Sequence, residues 1–181
     1  MNTHDPIHML THEHEIILKV VAGLERIARE LDKGIEADPD TLRAIVRFMR
    51  EFADRCHHAK EEDLLFPAME RKGVPEAGCP LGGLLHEHSE GRSLVTALSN
   101  AVEAYAAGAG KDGREITTIA GKISTLYTNH IWKENEMVFP MVARLFSDSE
   151  RDALFEEFEQ AEERVGANHE ELAAFAARLA G

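Results

Sequence analysis

Four histidines and two glutamates have the residue types and spacing of a metal site. Two His-x-x-x-Glu pairs each place an imidazole and a carboxylate one helical turn apart on the same face, namely His57 with Glu61 and His130 with Glu134. His14 and His88 each interrupt the apolar stripe of another predicted helix. Nitrogen and oxygen ligands without thiolate suit iron, manganese or zinc. The predicted metal ligands are therefore His14, His57, Glu61, His88, His130 and Glu134.

Two carboxylates among four imidazoles predict a pair of metal ions. Carboxylates can bridge two ions and leave coordination positions for an oxo, hydroxo or exogenous ligand. Burying this many polar groups in one core would cost several kcal/mol each unless they are paired or bound to metal. The whole set therefore indicates a dinuclear site, although each histidine taken singly is more typical of a hydrogen-bonded core residue.

Helices must position these residues, because the sequence has helical periodicity and no strand pattern. Asp5-Pro6 and Asp38-Pro39 are helix-start signals, and Gly34 and Gly73 mark helix ends. We predict helices over 6–33, 39–71, 80–107 and 112–146, the last opened by Asp112, with a fifth beginning at Ser147. Short connections favour an all-α, antiparallel up-down four-helix bundle over 1–146, with an extra C-terminal helix over 147–181 packed on it.

The two halves of the predicted bundle repeat each other. The pattern His57, Lys60, Glu61, Phe66, Pro67 recurs 73 positions later, and Glu13-His14 recurs as Glu87-His88 at 74. This register selects His57 over the adjacent His58, which shares its ideal-helix face with charged residues. We therefore expect His57 to point inward and His58 to be solvated. Tyr127 is either a hydrogen-bond donor near the site or core, while Lys60, Lys133 and His169 have no role that the sequence identifies.

Composition excludes several classes of partner. The net charge of −13 repels phosphate backbones and anionic lipid, so we expect neither nucleic acid nor membrane binding. No apolar run is long enough to span a bilayer, and the N-terminus lacks a secretory signal, which predicts a cytoplasmic protein. Cys56 and Cys79 form neither a disulfide framework nor a thiolate zinc motif.

Short motifs surround the predicted ligands: Glu13-His14, Leu65-Phe66-Pro67, Glu87-His88, His130-Ile131-Trp132-Lys133-Glu134 and Val138-Phe139-Pro140. With these motifs, residues 5 to about 146 resemble the hemerythrin-like, HHE cation-binding family. The resemblance implies a four-helix bundle with a non-haem di-iron centre, with manganese or zinc as alternatives. It also implies that Glu61 and Glu134 bridge an oxo- or hydroxo-bridged pair of iron ions.

The chain departs from the oxygen-carrying hemerythrins in two helices. Their third helix has a second ligand histidine where this chain has Arg92 or Leu84, and their fourth has His-x-x-x-x-Asp where this chain has Asn135. The four-histidine, two-glutamate set is closer to proteins that repair iron–sulfur centres under stress. The resemblance thus implies handling of oxygen, nitric oxide or peroxide, with a protein partner or electron donor that the sequence does not name.

Three other functions remain open from the sequence. The protein could be an iron reservoir, or a metal or redox sensor that acts through a protein partner without catalysis. It could be a ferritin-like carboxylate oxidase, a class that uses a Glu-x-x-His spacing absent from this chain. It could also be a metal-free helical interaction module. Whether the protein is an enzyme is left undecided by the sequence.

Overall fold

The computed structural model describes residues 4–109, 113–165 and 168–180. These ranges contain helices and no strand, which confirms the all-α class. The expected Asp112 cap lies outside the described residues. The elements in chain order are α1 (Pro6–Asp32), α2 (Pro39–Phe48), π1 (Met49–His58), π2 (Glu61–Leu65), α3 (Phe66–Arg71), α4 (Leu81–Ala106), α5 (Arg114–Lys133), π3 (Glu134–Val138), α6 (Phe139–Leu145), α7 (Asp148–Val165) and α8 (Asn168–Ala180).

The first two long helices begin and end where the Asp-Pro pairs and the glycines predict. The Asp5 carboxylate accepts a hydrogen bond from the Ile7 amide at 2.8 Å, and Asp38 accepts one from the Thr41 amide at 3.0 Å. Each cap satisfies an amide that has no partner within the helix, which typically stabilises the helix by about 1 kcal/mol. Gly34 and Gly73 follow the helix ends with φ of 78° and 90°, a conformation that favours glycine.

The second and fourth long helices, 39–71 and 114–145, are not regular α-helices. They contain π segments, in which the backbone bond joins i to i+5 and a turn holds more residues. Segments π2 and π3 lie 73 residues apart, and each is followed by a Phe-Pro pair that begins the next α segment. Because proline has no N–H to donate, the α-helical bonding pattern is interrupted at Pro67 and Pro140. The internal repeat therefore includes the π segments as well as the sequence motifs.

The four long helices form the expected bundle. Helix α1 packs mainly against α5, and α4 packs against both α5 and α2. Histidines near the start of α1 and α4 meet histidines in the later parts of the second and fourth long helices. This meeting requires consecutive helices to run antiparallel.

A polar layer divides the bundle core into two apolar clusters. One cluster fills the end that includes Val21, Ile45, Leu98 and Ile123, and the other fills the end that includes Leu65 and Phe139. The buried His and Glu residues lie between the clusters in each long helix. The site is thus held from both sides by close-packed apolar side chains.

The C-terminal region adds two helical segments to the bundle, where the sequence suggested one helix. Segment α7 supplies Leu154 and Phe158 to one apolar cluster, and α8 supplies Leu172 and Leu179 to the other. The approach of α8 depends on Gly23, because a Cβ there would lie 2.5 Å from Leu179 Cγ. None of the helices in the described ranges is long and apolar enough to cross a membrane.

Candidate metal centre

All six residues predicted as ligands are brought together in the polar layer. Each is buried, with at most 3% of its surface exposed: His14, His57, Glu61, His88, His130 and Glu134. Glu and His are rarely buried to this degree without partners, so their convergence needs a physical cause.

The expectation that His58 is solvated is wrong. His58 is 3% exposed and its ring stacks on His88, with 3.9 Å between centroids. The ideal-helix phase fails because His57 and His58 end π1, where more residues per turn move the next side chain toward the core. The repeat could not reveal His58 either, since the position 73 residues later is Ile131. The layer therefore contains five buried imidazoles.

The buried side chains form two groups that could each hold one ion. One group is His14, His57, Glu61 and Glu134, and the other is His58, Glu61, His88 and His130. Within each group the candidate ligand atoms lie within 4.8 Å of one another. Because Glu61 belongs to both groups, its carboxylate is placed where a bridging ligand would lie.

Both glutamates span the two groups. Glu61 Oε1 is 3.6 Å from His57 Nε2, and its Oε2 is 3.5 Å from His88 Nε2. Glu134 Oε2 is 3.1 Å from His14 Nε2, while its Oε1 is 3.2 Å from His130 Nε2. Each carboxylate thus presents one oxygen to each group.

Two glutamates orient histidines of the neighbouring helix. Glu13 Oε2 lies 2.9 Å from His57 Nδ1, and its other oxygen accepts from the Lys60 ammonium. An Nδ1–H donor fixes the ring and leaves Nε2 as the nitrogen available to a metal. Glu13 therefore acts on His57 and not on the adjacent His14.

The second half repeats this arrangement. Glu87 Oε2 lies 3.0 Å from His130 Nδ1, and its other oxygen accepts from Lys133. Lys60 and Lys133, which the sequence left without a role, are thus equivalent counterions of the orienting carboxylates. The lysines differ in environment, because the Lys60 side chain is 1% exposed and that of Lys133 is 38% exposed.

Two of the other three histidines also have an acceptor at hydrogen-bond distance from Nδ1. Asn135 Oδ1 is 2.9 Å from His14 Nδ1, and Glu62 Oε1 is 2.6 Å from His88 Nδ1. Asn135 and Glu62 are 73 positions apart, so the repeat could have identified both. Asp54 Oδ1 lies 3.6 Å from His58 Nδ1, which is too far for a hydrogen bond. Acceptors at Nδ1 therefore leave Nε2 available to a metal in His14, His57, His88 and His130.

The two central carboxyl groups have opposite electrostatic surroundings. Burial, followed by repulsion from Glu134, raises the pKa of Glu61 well above its ordinary value. Burial acts in the same direction on Glu134, but attraction to His130 outweighs it and lowers the pKa of Glu134. A cation bound beside both carboxyl groups would favour the charged form of each.

The pKa values of the buried imidazoles are also shifted in opposite directions. Burial works against the charge on His130, but Glu134 and Glu87 outweigh it and raise the pKa of His130 to about 9. Burial lowers the pKa of His57 and of His58, so both rings are neutral. Neutral imidazole is the form that binds a metal.

Unpaired buried atoms show that a cation fits the layer. Both carboxylate oxygens of Glu61 and both of Glu134 are buried without a hydrogen-bond partner among the described residues, as are His14 Nε2 and His58 Nδ1. Leaving such atoms unpaired costs about 1–3 kcal/mol each, and more for a charged group. A cation bound between the two glutamates would remove this cost for all four oxygens.

A third group of metal-binding residue types lies beside the polar layer. It consists of Glu13, Cys56, Glu162 and His169. Cys56 Sγ is 3.6 Å from His169 Nδ1, and the Lys60 ammonium contacts Glu13 and also Glu162 at 2.5 Å. The Lys60 ammonium already pairs with both carboxylates and balances one of their two negative charges. His169 is therefore a neighbour of Cys56 and belongs to neither metal-binding group of the layer.

The environment of Cys56 predicts an unreactive thiol. Burial raises the pKa of Cys56 to about 12, so only about one molecule in ten thousand is thiolate at pH 8. Iodoacetamide at pH 8 should label the exposed Cys79 at least about a hundredfold faster, as measured by peptide mass spectrometry. Both cysteines should react alike in denaturant. Equal labelling of the native protein would show that Cys56 is not shielded.

The family comparison agrees with this geometry. The model of the hemerythrin HHE cation-binding domain matches residues 5–142, which is more than half of the chain. The chain belongs to the hemerythrin HHE cation-binding family. The match contains the whole polar layer of this HHE domain and ends before α7 and α8. None of the curated proteins compared with the chain matches it.

Proposed function

We propose that this HHE-family protein holds two iron ions and uses them to bind or transform a small ligand such as oxygen, nitric oxide or peroxide. His14 and His57 would hold one ion, and His58, His88 and His130 the other. Glu61 and Glu134 would bridge the pair. When bound, the two irons supply redox chemistry and coordination positions for the ligand.

The unpaired oxygens of the two spanning carboxylates carry this proposal. Four buried oxygens without hydrogen-bond donors face imidazole nitrogens on both sides. The donor set contains nitrogen and oxygen and no thiolate, which favours iron over copper(I). Manganese and zinc are the competing metals, and elemental analysis separates them from iron.

The surrounding residues define what the chain itself contributes. Acceptors at Nδ1 orient four of the five imidazoles, and apolar clusters pack above and below the layer. Lys60 and Lys133 balance the charge of the carboxylates that orient His57 and His130. These features would hold the oriented imidazoles in place and limit side reactions of a bound ligand.

We propose that this chemistry serves a stress response in the cytoplasm. The net charge of −13 supports a function without nucleic acid or anionic membrane as a partner. The argument for iron–sulfur repair depended on a set of four histidines. Iron–sulfur repair stays a narrower form of this proposal, and a ligand role for His58 would count against it.

A sensor is the second candidate, because the site is linked to the C-terminal helices. Lys60 connects Glu13, which orients His57, to Glu162 on α7. A change in metal occupancy that moves His57 would reach α7 through these two ion pairs. The sensor would then act through a protein partner, without turnover.

The proposal is tested by measuring the iron content of the protein and then its reaction with small ligands. Untagged protein is loaded with ferrous iron without oxygen, and metals are counted by elemental mass spectrometry. We expect about two irons per chain and new absorption bands when oxygen, nitric oxide or peroxide is added. Ligand turnover supports a catalyst, and binding without turnover supports the sensor. A failure to retain iron, or retention of zinc alone, would contradict the proposal.

A further inference from the structure

A cavity of about 260 Å³ reaches the polar layer from the side of the second long helix. His58 forms part of its wall, so the cavity leads to one of the five buried imidazoles. The residues that give the wall its chemical character are Arg50, Asp54, Arg55, His58, Arg92 and Tyr127. A ligand that occupied the cavity would therefore lie next to the ring that stacks on His88.

The cavity wall is positively charged in an otherwise acidic protein. It has three guanidinium groups and one carboxylate, whereas the chain as a whole carries −13. Arg92 pairs with Asp54 and with Glu62, each at 2.7 Å. Arg50 and Arg55 form no ion pair with any residue in the described ranges. Two positive charges are therefore uncompensated at the opening, where they raise the local concentration of anions.

The inner end of the cavity offers a hydrogen-bond donor. Tyr127 is only 4% exposed, yet its hydroxyl has no hydrogen-bond partner among the residues that the structure describes. Its ring lies 6.2 Å from that of His58. Gly91 leaves room for it, since a Cβ at that position would lie 3.3 Å from the hydroxyl. The hydroxyl oxygen is not among the side-chain atoms buried without a partner, so the cavity gives access to it and a small anion there would accept its hydrogen bond.

We propose that this cavity admits small inorganic anions and holds them between Arg50, Arg55 and Tyr127 beside the metal centre. The inference rests on the proposed function and narrows it, because the guanidiniums favour an anion over a neutral diatomic ligand. The cavity accommodates an anion of a few atoms, for which azide is the probe and nitric oxide the neutral reference.

The test compares azide and nitric oxide binding to the iron-loaded protein by absorption spectroscopy. Removing both charges in Arg50→Gln/Arg55→Gln should weaken azide binding by about tenfold and change nitric oxide binding by less than about twofold. The control Arg71→Gln/Arg178→Gln removes two exposed arginines outside the cavity wall, with the same change in net charge. It should bind azide like the wild type. Added salt should weaken azide binding to wild type more than to Arg50→Gln/Arg55→Gln.

Iron content is measured in every sample. This measurement separates failure of the proposed di-iron function from failure of the anion site. Wild-type protein without iron contradicts the proposed function, and the anion site then falls with it. Iron-loaded variants that bind azide as tightly as wild type overturn the anion site alone. Equal weakening of azide and nitric oxide, or iron loss confined to Arg50→Gln/Arg55→Gln, also overturns it, because the arginines would then maintain the structure and not select anions.

Discussion

Replacing His58 with alanine should lower the metal content from about two ions per chain to about one, as much as replacing His57 does. His58 is one of the three imidazoles in the group that could hold the second ion. Loss of an outer-shell partner of a metal ligand typically costs about 10–100-fold in affinity, so loss of the ligand itself should cost more. Elemental mass spectrometry after dialysis measures the outcome.

Two further variants separate ligand loss from damage to the core. His58→Gln keeps most of the side-chain volume and should lose metal like His58→Ala, with an unchanged circular dichroism spectrum. His12→Ala removes a side chain that is 62% exposed on α1, and it should keep both ions. Full metal content in His58→Ala would remove His58 from the ligand set and restore the four-histidine interpretation.

Replacing Lys60 with methionine should destabilise the metal-free protein by about 3–5 kcal/mol, because it leaves the buried Glu13 carboxylate without its counterion. The repeat supplies a matched control. Lys133→Met removes the equivalent ion pair with Glu87, but Lys133 is 38% exposed and water replaces its charge. That substitution should cost about 0–1 kcal/mol. Urea unfolding followed by circular dichroism gives both free energies of unfolding.

A double variant tests the cause of this difference. Glu13→Gln removes the charge that Lys60 neutralises, so adding it to Lys60→Met should recover part of the lost stability. Equal costs for Lys60→Met and Lys133→Met would show that burial of the ion pair is not what matters. No recovery in the double variant would place the effect in the packing of the Lys60 stem.

Local signals in the sequence were enough to predict the helices of the bundle. Asp-Pro starts, glycine ends and apolar stripes depend on neighbouring residues alone, and they place α1 and the second long helix correctly. The same stripes place His14, His57, His88 and His130 in the core, where the structure shows them. Their role as metal ligands stays a prediction.

His58 could not be predicted, because its direction depends on helix geometry that the local sequence does not announce. Segments π2 and π3 are each followed by a proline, which signals an irregular helix. Segment π1 contains no proline and carries no such signal. The orienting partners were missed for a different reason. Glu13, Glu87 and Asn135 act on histidines of other helices, and only tertiary packing brings those atoms together.

Anomalous diffraction at the iron absorption edge, on crystals of iron-loaded protein, tests the dinuclear centre most directly. We expect two peaks per chain with Glu61 and Glu134 between them, one within bonding distance of His14 and His57 and the other of His58, His88 and His130. A single peak, or a peak only at the group of Cys56, Glu162 and His169, would contradict a di-iron centre in the polar layer.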